Sequence, residues 1–251
     1  MHRFFAPALD AGDDAVTLPR DEAEHLVRVL RLGVGDTVAV FDGRGHEWTA
    51  RVTSVLRRDV RVQLIARIEP AAEPAVHLTL AQAVLKGDKM DDIVRDAVML
   101  GVAAVQPLVT SRAESTVAAL GRGTRLDRWK RVALSSVKQS KRAFLPDIRR
   151  PLTLESFLHD PPAAVTLMLV EPAAVAGAGV DGVEPLAVLQ GAATPQDATI
   201  FVGPEGGWTD AEITAARQAG VRLVTLGRRT LRADAAPVAA ISVLQYIWGD
   251  L

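Results

Sequence analysis

Residues 199–227 read TIFVGPEGGWTDAEITAARQAGVRLVTLG, and this stretch decides the fold class. Thr199–Val202 is a short, mostly apolar run, the mark of a strand buried on both faces. Gly203-Pro204-Glu205-Gly206-Gly207 interrupts it with turn chemistry. Thr209 stands three residues before Glu212, the spacing of a reciprocal cap, and predicts a helix over Thr209–Ala219. Arg222–Leu226 is then a second strand, closed by Gly227. A strand, a helix and a strand in this order predict a mostly parallel sheet covered on both faces. Such sheets take ligands outside the carboxyl ends of their strands. The glycine loop after Val202 occupies that position, and so does Leu226–Ala236 (LGRRTLRADAA). Glycines let backbone approach a ligand closely. A plain tight turn would explain either loop singly, but two loops at adjacent strand ends can wall one pocket.

The same alternation extends upstream. Val76–Val84, Ala103–Val109 and Val165–Val170 read as strands. Asp88–Leu100 reads as a helix with Met90, Ile93, Val94, Ala97 and Val98 on one side, Asp88 as its cap and Gly101 as its stop. Leu126–Ser140 reads as a helix with Trp129, Val132, Ala133 and Val137 inward. Pro237–Trp248 closes the chain as a helix with Val238, Ile241, Leu244 and Trp248 on one side, a core face or a dimer seam. Before residue 70 the pattern changes. Asp36–Asp42, Glu47–Leu56 and Asp59–Ile68 are rich in β-branched residues, Gly43-Arg44-Gly45-His46 is hairpin chemistry, and one helix, Asp21–Arg31, ends before Gly33. Short, regularly spaced strands predict a small barrel. Glu69–Pro74 is the linker. The expected domains are residues 1–71 and 75–251, β-rich and α/β respectively.

Composition excludes several chemistries. The 251 residues contain no cysteine, which removes disulfides, thiolate metal sites and cysteine nucleophiles together. Five scattered histidines, His2, His25, His46, His77 and His159, form no ligand-spaced pair, so no metal is expected. No apolar run reaches membrane-spanning length and Met1–Phe5 lacks a signal-peptide core, which predicts a cytoplasmic protein. Net charge is −1, yet Arg112–Arg150 carries eleven Lys or Arg against three Asp or Glu. A basic belt on a neutral chain suits a docked polyanion. Gly177–Gly182 matches the dinucleotide pattern GxGxxG by letter, but Pro172–Ala176 separate it from its strand and Val183-Glu184-Pro185 prevent a clean helix start. A nicotinamide dehydrogenase is therefore disfavoured. No GxxxxGK[ST] loop occurs, which excludes a P-loop ATPase.

The chain resembles the small-subunit ribosomal RNA uridine N3-methyltransferases, the RsmE family of the SPOUT (α/β-knot) superfamily. The resemblance runs through Arg3-Phe4-Phe5, His25-Leu26 with Val29-Leu30-Arg31, Lys86–Asp91, Leu100-Gly101-Val102, Pro107, Arg128-Trp129, Gln139-Ser140 with Arg142, Pro146, Gly203–Gly207 and Leu226-Gly227 with Leu231-Arg232. It implies a PUA-like RNA-binding β-barrel, then a SPOUT domain whose last third threads a trefoil knot. It implies S-adenosylmethionine in a pocket of the knot loops, a homodimer, and a uridine of 16S ribosomal RNA in the small ribosomal subunit as target. Three motifs depart from the family. Ala233-Asp234-Ala235-Ala236 replaces Thr-Glu-Thr-Ala, Ala97–Gly101 reads AVMLG for ATELG, and Lys138-Gln139-Ser140 replaces Glu-Gln-Ser.

On this resemblance the cofactor is expected at Leu169, Val170, Glu171, Gly203, Pro204, Glu205, Gly206, Gly207, Leu226, Gly227, Leu231, Arg232 and Ala235. RNA contacts are expected at Arg3, His25, Arg28, Arg31, Lys86, Lys89, Arg128, Lys138, Gln139, Ser140, Lys141 and Arg142. Methylation of a pyrimidine carbon generally requires a cysteine to attack the ring first, so a chain without one points to a nitrogen or ribose oxygen acceptor. Arg232 is the candidate to stabilise a uracil anion, and Asp234 or Glu205 the candidate proton acceptor. Two other readings stay open: a knot methyltransferase acting on another rRNA or tRNA nucleotide or a ribose 2′-OH, and a non-catalytic RNA-binding ribosome assembly factor.

Overall fold

The structure, a computed structural model, describes residues 1–10, 12–56, 59–113, 115–159, 163–172 and 182–251. The dinucleotide-like segment 177–182 lies, but for Gly182, outside them. The chain divides into two compact units: Met1–Glu73 with Leu134–Leu145, and Pro74–Ala133 with Pro146–Leu251. Residues 134–145 group with the first unit. Helix Arg125–Ser140 begins in the second unit and ends in the first.

The first unit holds strands β1 (Arg3–Phe5), β2 (Ala15–Thr17), β3 (Thr37–Phe41), β4 (Glu47–Leu56) and β5 (Asp59–Ile68). They form one sheet in the order β1-β3-β4-β5-β2, antiparallel except that β1 runs parallel to β3. Bulges at Thr49/Ala50 and Val52/Ser54 bend the long β4–β5 pair. Phe4, Leu9, Leu26, Val38, Val40, Val52 and Val62 fill its core. The helix expected over 21–31 is α-helical only at α1 (Arg20–Glu24) and continues as a wider π turn over His25–Val29. Arg31, at φ +55°, ends it two residues before Gly33, and the Leu32 N–H returns to the Leu26 carbonyl at 3.1 Å.

The second unit is built on an eight-stranded sheet. Its strands are β6 (His77–Ala83), β7 (Ala104–Val109), β8 (Asp147–Ile148), β9 (Leu152–Thr153), β10 (Val165–Leu169), β11 (Glu184–Pro185), β12 (Asp197–Val202) and β13 (Arg222–Thr225). The order is β11-β13-β10-β12-β6-β7-β8, with β9 also on β7, and every pairing is parallel. Helix α2 (Lys89–Met99) buries the five residues read for its inner face. Asp88 does not cap it through its side chain; its carboxylate lies 3.3 Å from Arg128 instead. Trp129, Ala133 and Val137 are buried as expected, whereas Val132 is half-buried. In the last helix (Ala236–Trp248) Ile241, Leu244 and Trp248 are buried within this chain, so that face is core, and Val238 is half-buried.

Gly101 ends α2 at φ +86°, and a Cβ there would sit 2.4 Å from Pro74 Cγ. Both the left-handed backbone and the contact demand glycine. Gly101→Ala is expected to lower unfolding stability by about 2 kcal/mol in a denaturant melt; an unchanged midpoint would contradict this packing.

Candidate active site

The carboxyl ends of β10, β12 and β13 point their loops at one cavity of 630 Å³. Leu169–Pro172 form one wall, Val202–Trp208 the next, and Leu226 with Arg229–Asp234 the third. Lys89 and Arg112, from segments following β6 and β7, complete the rim. A volume of this size is typical of small-molecule sites. The strand order brings these loops together, because β10 lies between β12 and β13 although it precedes both in sequence.

Local chemistry fixes the loop after β12. The Thr209–Glu212 box forms: the Thr209 Oγ1 accepts from the Glu212 N–H at 3.2 Å and the Glu212 carboxylate accepts from the Thr209 N–H at 2.8 Å. Trp208 is buried and its Nε1 donates to the Leu169 carbonyl at 2.9 Å, tying the second wall to the first. Gly207 takes φ +67° and its N–H closes a turn on the Pro204 carbonyl at 2.9 Å. A Cβ at Gly207 would stand 3.2 Å from Glu171 Oε1, and one at Gly206 would stand 3.2 Å from Arg112 Cδ. A side chain at either glycine would crowd Arg112 or Glu171.

Two ion pairs border the cavity, one between segments and one within a loop. Lys89 Nζ donates to Glu205 Oε1 at 2.9 Å, and the Lys86 N–H reaches the same oxygen at 3.3 Å. Partial burial pushes the Glu205 carboxyl up. The Lys89 hydrogen bond and charge and the backbone N–H groups of Glu205 and Lys86 outweigh it and leave the group below the usual carboxylate range. Arg232 grips Asp234 with two bonds, 3.1 Å and 2.9 Å. The Asp234 carboxyl is held low, first by the hydrogen bond from Arg232, and the same bond raises the guanidinium.

Of thirteen residues expected at a cofactor, eleven line the cavity; Gly227 and Ala235 do not. Arg232, Asp234 and Glu205 all line it. Lys89, expected at RNA, sits in the rim. Arg229 and Thr230 fall within the Leu226–Ala236 loop expected to wall a pocket, whereas Arg112, Pro172, Trp208 and Ile213 were not expected there. Arg112 lies three residues beyond the end of β7, so the strand-end rule alone could have flagged it.

The expected RNA contacts divide by environment. Arg3 and Arg142 are enclosed by partners within the chain. Arg3 pairs with Glu47 at 2.7 Å, lies 4.9 Å over the Phe41 ring and donates to the carbonyls of Val137, Lys138 and Arg142. Arg142 is buried and pairs with Glu73. Lys138 pairs with Glu22, and Arg128 with Asp91 and Asp88. Ser140 donates back to the Ser136 carbonyl at 2.9 Å. His25, Arg28, Arg31, Lys86, Gln139 and Lys141 are exposed. Among the described residues no cluster of three or more potential metal ligands occurs and no helix is long and apolar enough to cross a membrane.

Comparison with known proteins places this geometry. Residues 72–245 match the family described as an RNA methyltransferase domain, and residues 18–65 match an RNA methyltransferase PUA domain. A relative from Synechocystis sp., a ribosomal RNA small subunit methyltransferase E, is 34% identical over 90% of this chain and 71% of its own length. A ribosomal RNA small subunit methyltransferase E from Neisseria gonorrhoeae, bound to S-adenosyl methionine, superposes with a TM-score of 0.83 at 32% identity, over 100% of this chain and 99% of that one. A Legionella pneumophila protein in complex with the bound cofactor SAM gives a TM-score of 0.83 at 27% identity, over 97% of this chain and 96% of that one. This chain belongs to the same RNA methyltransferase family, with a PUA domain ahead of the methyltransferase domain.

Proposed function

We propose that this protein methylates N3 of a uridine in the 16S RNA of the small ribosomal subunit, with S-adenosylmethionine as donor, and that it works as a cytoplasmic homodimer. The observation that carries the reading is one cavity walled by three strand-end loops, with Gly206 and Gly207 where a Cβ would crowd Arg112 and Glu171. The names and bound ligands of its relatives support the donor and the ribosomal substrate. A trefoil knot in the last third of the chain, which the resemblance implies, is part of the same proposal.

The residues fit the donor. Leu169, Val170, Leu226 and Leu231 offer apolar surface for a flat base, while Gly203, Gly206 and Gly207 let a ligand approach the backbone closely. Glu171 and Arg229 supply one charge of each sign for a zwitterionic ligand. When bound, the donor supplies an electrophilic sulfonium methyl group. The chain's own work is alignment of the acceptor nitrogen, which a positioned site performs without covalent help. Arg232, whose side chain is 78% exposed, can meet a uracil oxygen as negative charge grows on the ring. Asp234 orients that guanidinium. Asp234 and Glu205 are both ionised at neutral pH, so either can accept a proton, though a lowered pKa makes each a weak base.

Incubating the protein with labelled donor and undermodified small subunits, then digesting the RNA, tests the acceptor. Label in 3-methyluridine is expected. Label in a 2′-O-methyl nucleoside or another base would overturn the N3 assignment.

RNA binding by the first unit rests on the exposed Arg28, Arg31 and Lys141. Arg31 and Lys141 are the two described non-glycine residues with positive φ, +55° and +62°. Strained backbone of this kind gathers at functional positions. Neutralising all three is expected to flatten the dependence of log affinity on log salt by about 2, at ~0.7 for each phosphate that is no longer neutralised. An unchanged slope would remove them from the interface.

A further inference from the structure

We propose that Arg112 is a positioning residue that fixes the Gly203–Trp208 loop in its donor-binding shape, an inference that rests on the reading of the cavity given above. Nothing in the order of residues links the two segments, which are 94 positions apart at Arg112 and Gly206. The structure pins them together twice. Arg112 Nη1 donates to the Gly206 carbonyl and, at 3.2 Å, to the Trp208 carbonyl. Beside it, the Ser111 N–H donates to Glu212 Oε1 at 2.7 Å. Glu212 is buried at 8% relative exposure, and its second oxygen accepts from the Thr209 N–H at 2.8 Å and the Thr209 hydroxyl at 3.0 Å. One carboxylate therefore closes a helix cap and holds the backbone next to Arg112.

The consequence for the cavity follows from peptide planarity. A carbonyl held by Arg112 cannot rotate into the cavity, and fixing it fixes the N–H across the same peptide bond. Gly206 and Gly207 give this loop more backbone freedom than other residues would. Ordering it only when a ligand arrives would lower affinity; ordering it beforehand raises affinity. The aliphatic stem of Arg112 also packs under the loop, with Cδ 3.2 Å and Cβ 3.4 Å from the place a Cβ on Gly206 would occupy. A guanidinium nitrogen carries two N–H groups, one for each carbonyl, in a fixed plane. A lysine ammonium keeps the charge but not that geometry.

The test compares the full chain with Arg112→Ala and Arg112→Lys. Calorimetry with S-adenosylmethionine is expected to show at least about tenfold weaker binding for Arg112→Ala and an intermediate loss for Arg112→Lys. Turnover at saturating donor is expected to stay within about twofold, so that KM rises and kcat holds. Amide exchange at Gly206–Trp208 is expected to quicken in Arg112→Ala without donor, a change that a remote structural role would not confine to this loop. Should Arg112→Ala fail to fold, Arg112→Lys carries the same comparison. Unchanged donor affinity and exchange would overturn the proposal, and so would weaker RNA affinity with unchanged donor affinity, which would place Arg112 at a phosphate. If the unaltered chain itself does not bind the donor, the reading of the cavity falls and takes this proposal with it.

Discussion

Gly206→Val is expected to weaken S-adenosylmethionine binding at least about a hundredfold while the protein stays folded. Gly206 does not take a positive φ, so valine adds bulk without backbone strain. Its Cβ would already lie 3.2 Å from Arg112 Cδ, and the two further methyl groups must go against the arginine stem or into the cavity. Either way the loop loses its close approach to a ligand and its hold on Arg112. A hundredfold loss corresponds to about 2.7 kcal/mol. Calorimetry on the folded variant reads the effect, and binding at the affinity of the unaltered chain would place the donor elsewhere.

Arg232→Ala is expected to lower methyl transfer by roughly 10²–10³-fold, the scale for removing one donor from a developing oxyanion, with donor affinity little changed. Little change in stability is expected, because the Arg232–Asp234 pair is surface-exposed. The substitution also frees Asp234 from the hydrogen bond that holds its carboxyl low, so that group should return toward the ordinary carboxylate range. In the unaltered protein, a rate that depends on ionised Asp234 or Glu205 is full above their depressed values and declines only as pH falls through them. Between about pH 6 and 8 neither acid should therefore contribute a limb to the rate profile. Unchanged turnover in Arg232→Ala would remove the guanidinium from the chemistry. Asp234→Asn and Glu205→Gln with unaltered rates and pH profiles would leave no side-chain base, and the proton would leave to solvent.

Much of the second unit was legible because its signals are local. The Thr209–Glu212 spacing forms the cap it announces, Gly101 stops α2, and the apolar periodicity of 89–99 names the buried face. Both glycine loops border one cavity because strand ends in a parallel sheet share an edge. Features that depend on distant partners were not legible. Arg3 and Arg142 look like phosphate ligands by charge, but Glu47 and Glu73, 44 and 69 residues away, hold them inside the first unit. Trp208 looks like a core residue, yet its indole ties two cavity walls together. Strands β1 and β2, three residues each, are too short for any periodicity to reveal. The π turn at His25–Val29 is invisible to a 3.6-residue pattern, which reads the segment as continuous helix.

The central claim is that the loops at 203–207 and 226–231 form one cradle for a sulfonium donor. A crystal structure of the protein with S-adenosylmethionine tests it most directly. The donor is expected between those two loops, against Leu169–Glu171, with Arg232 beside the open side. Density for the donor at any other place, or loops that close on each other and leave it no room, would contradict it.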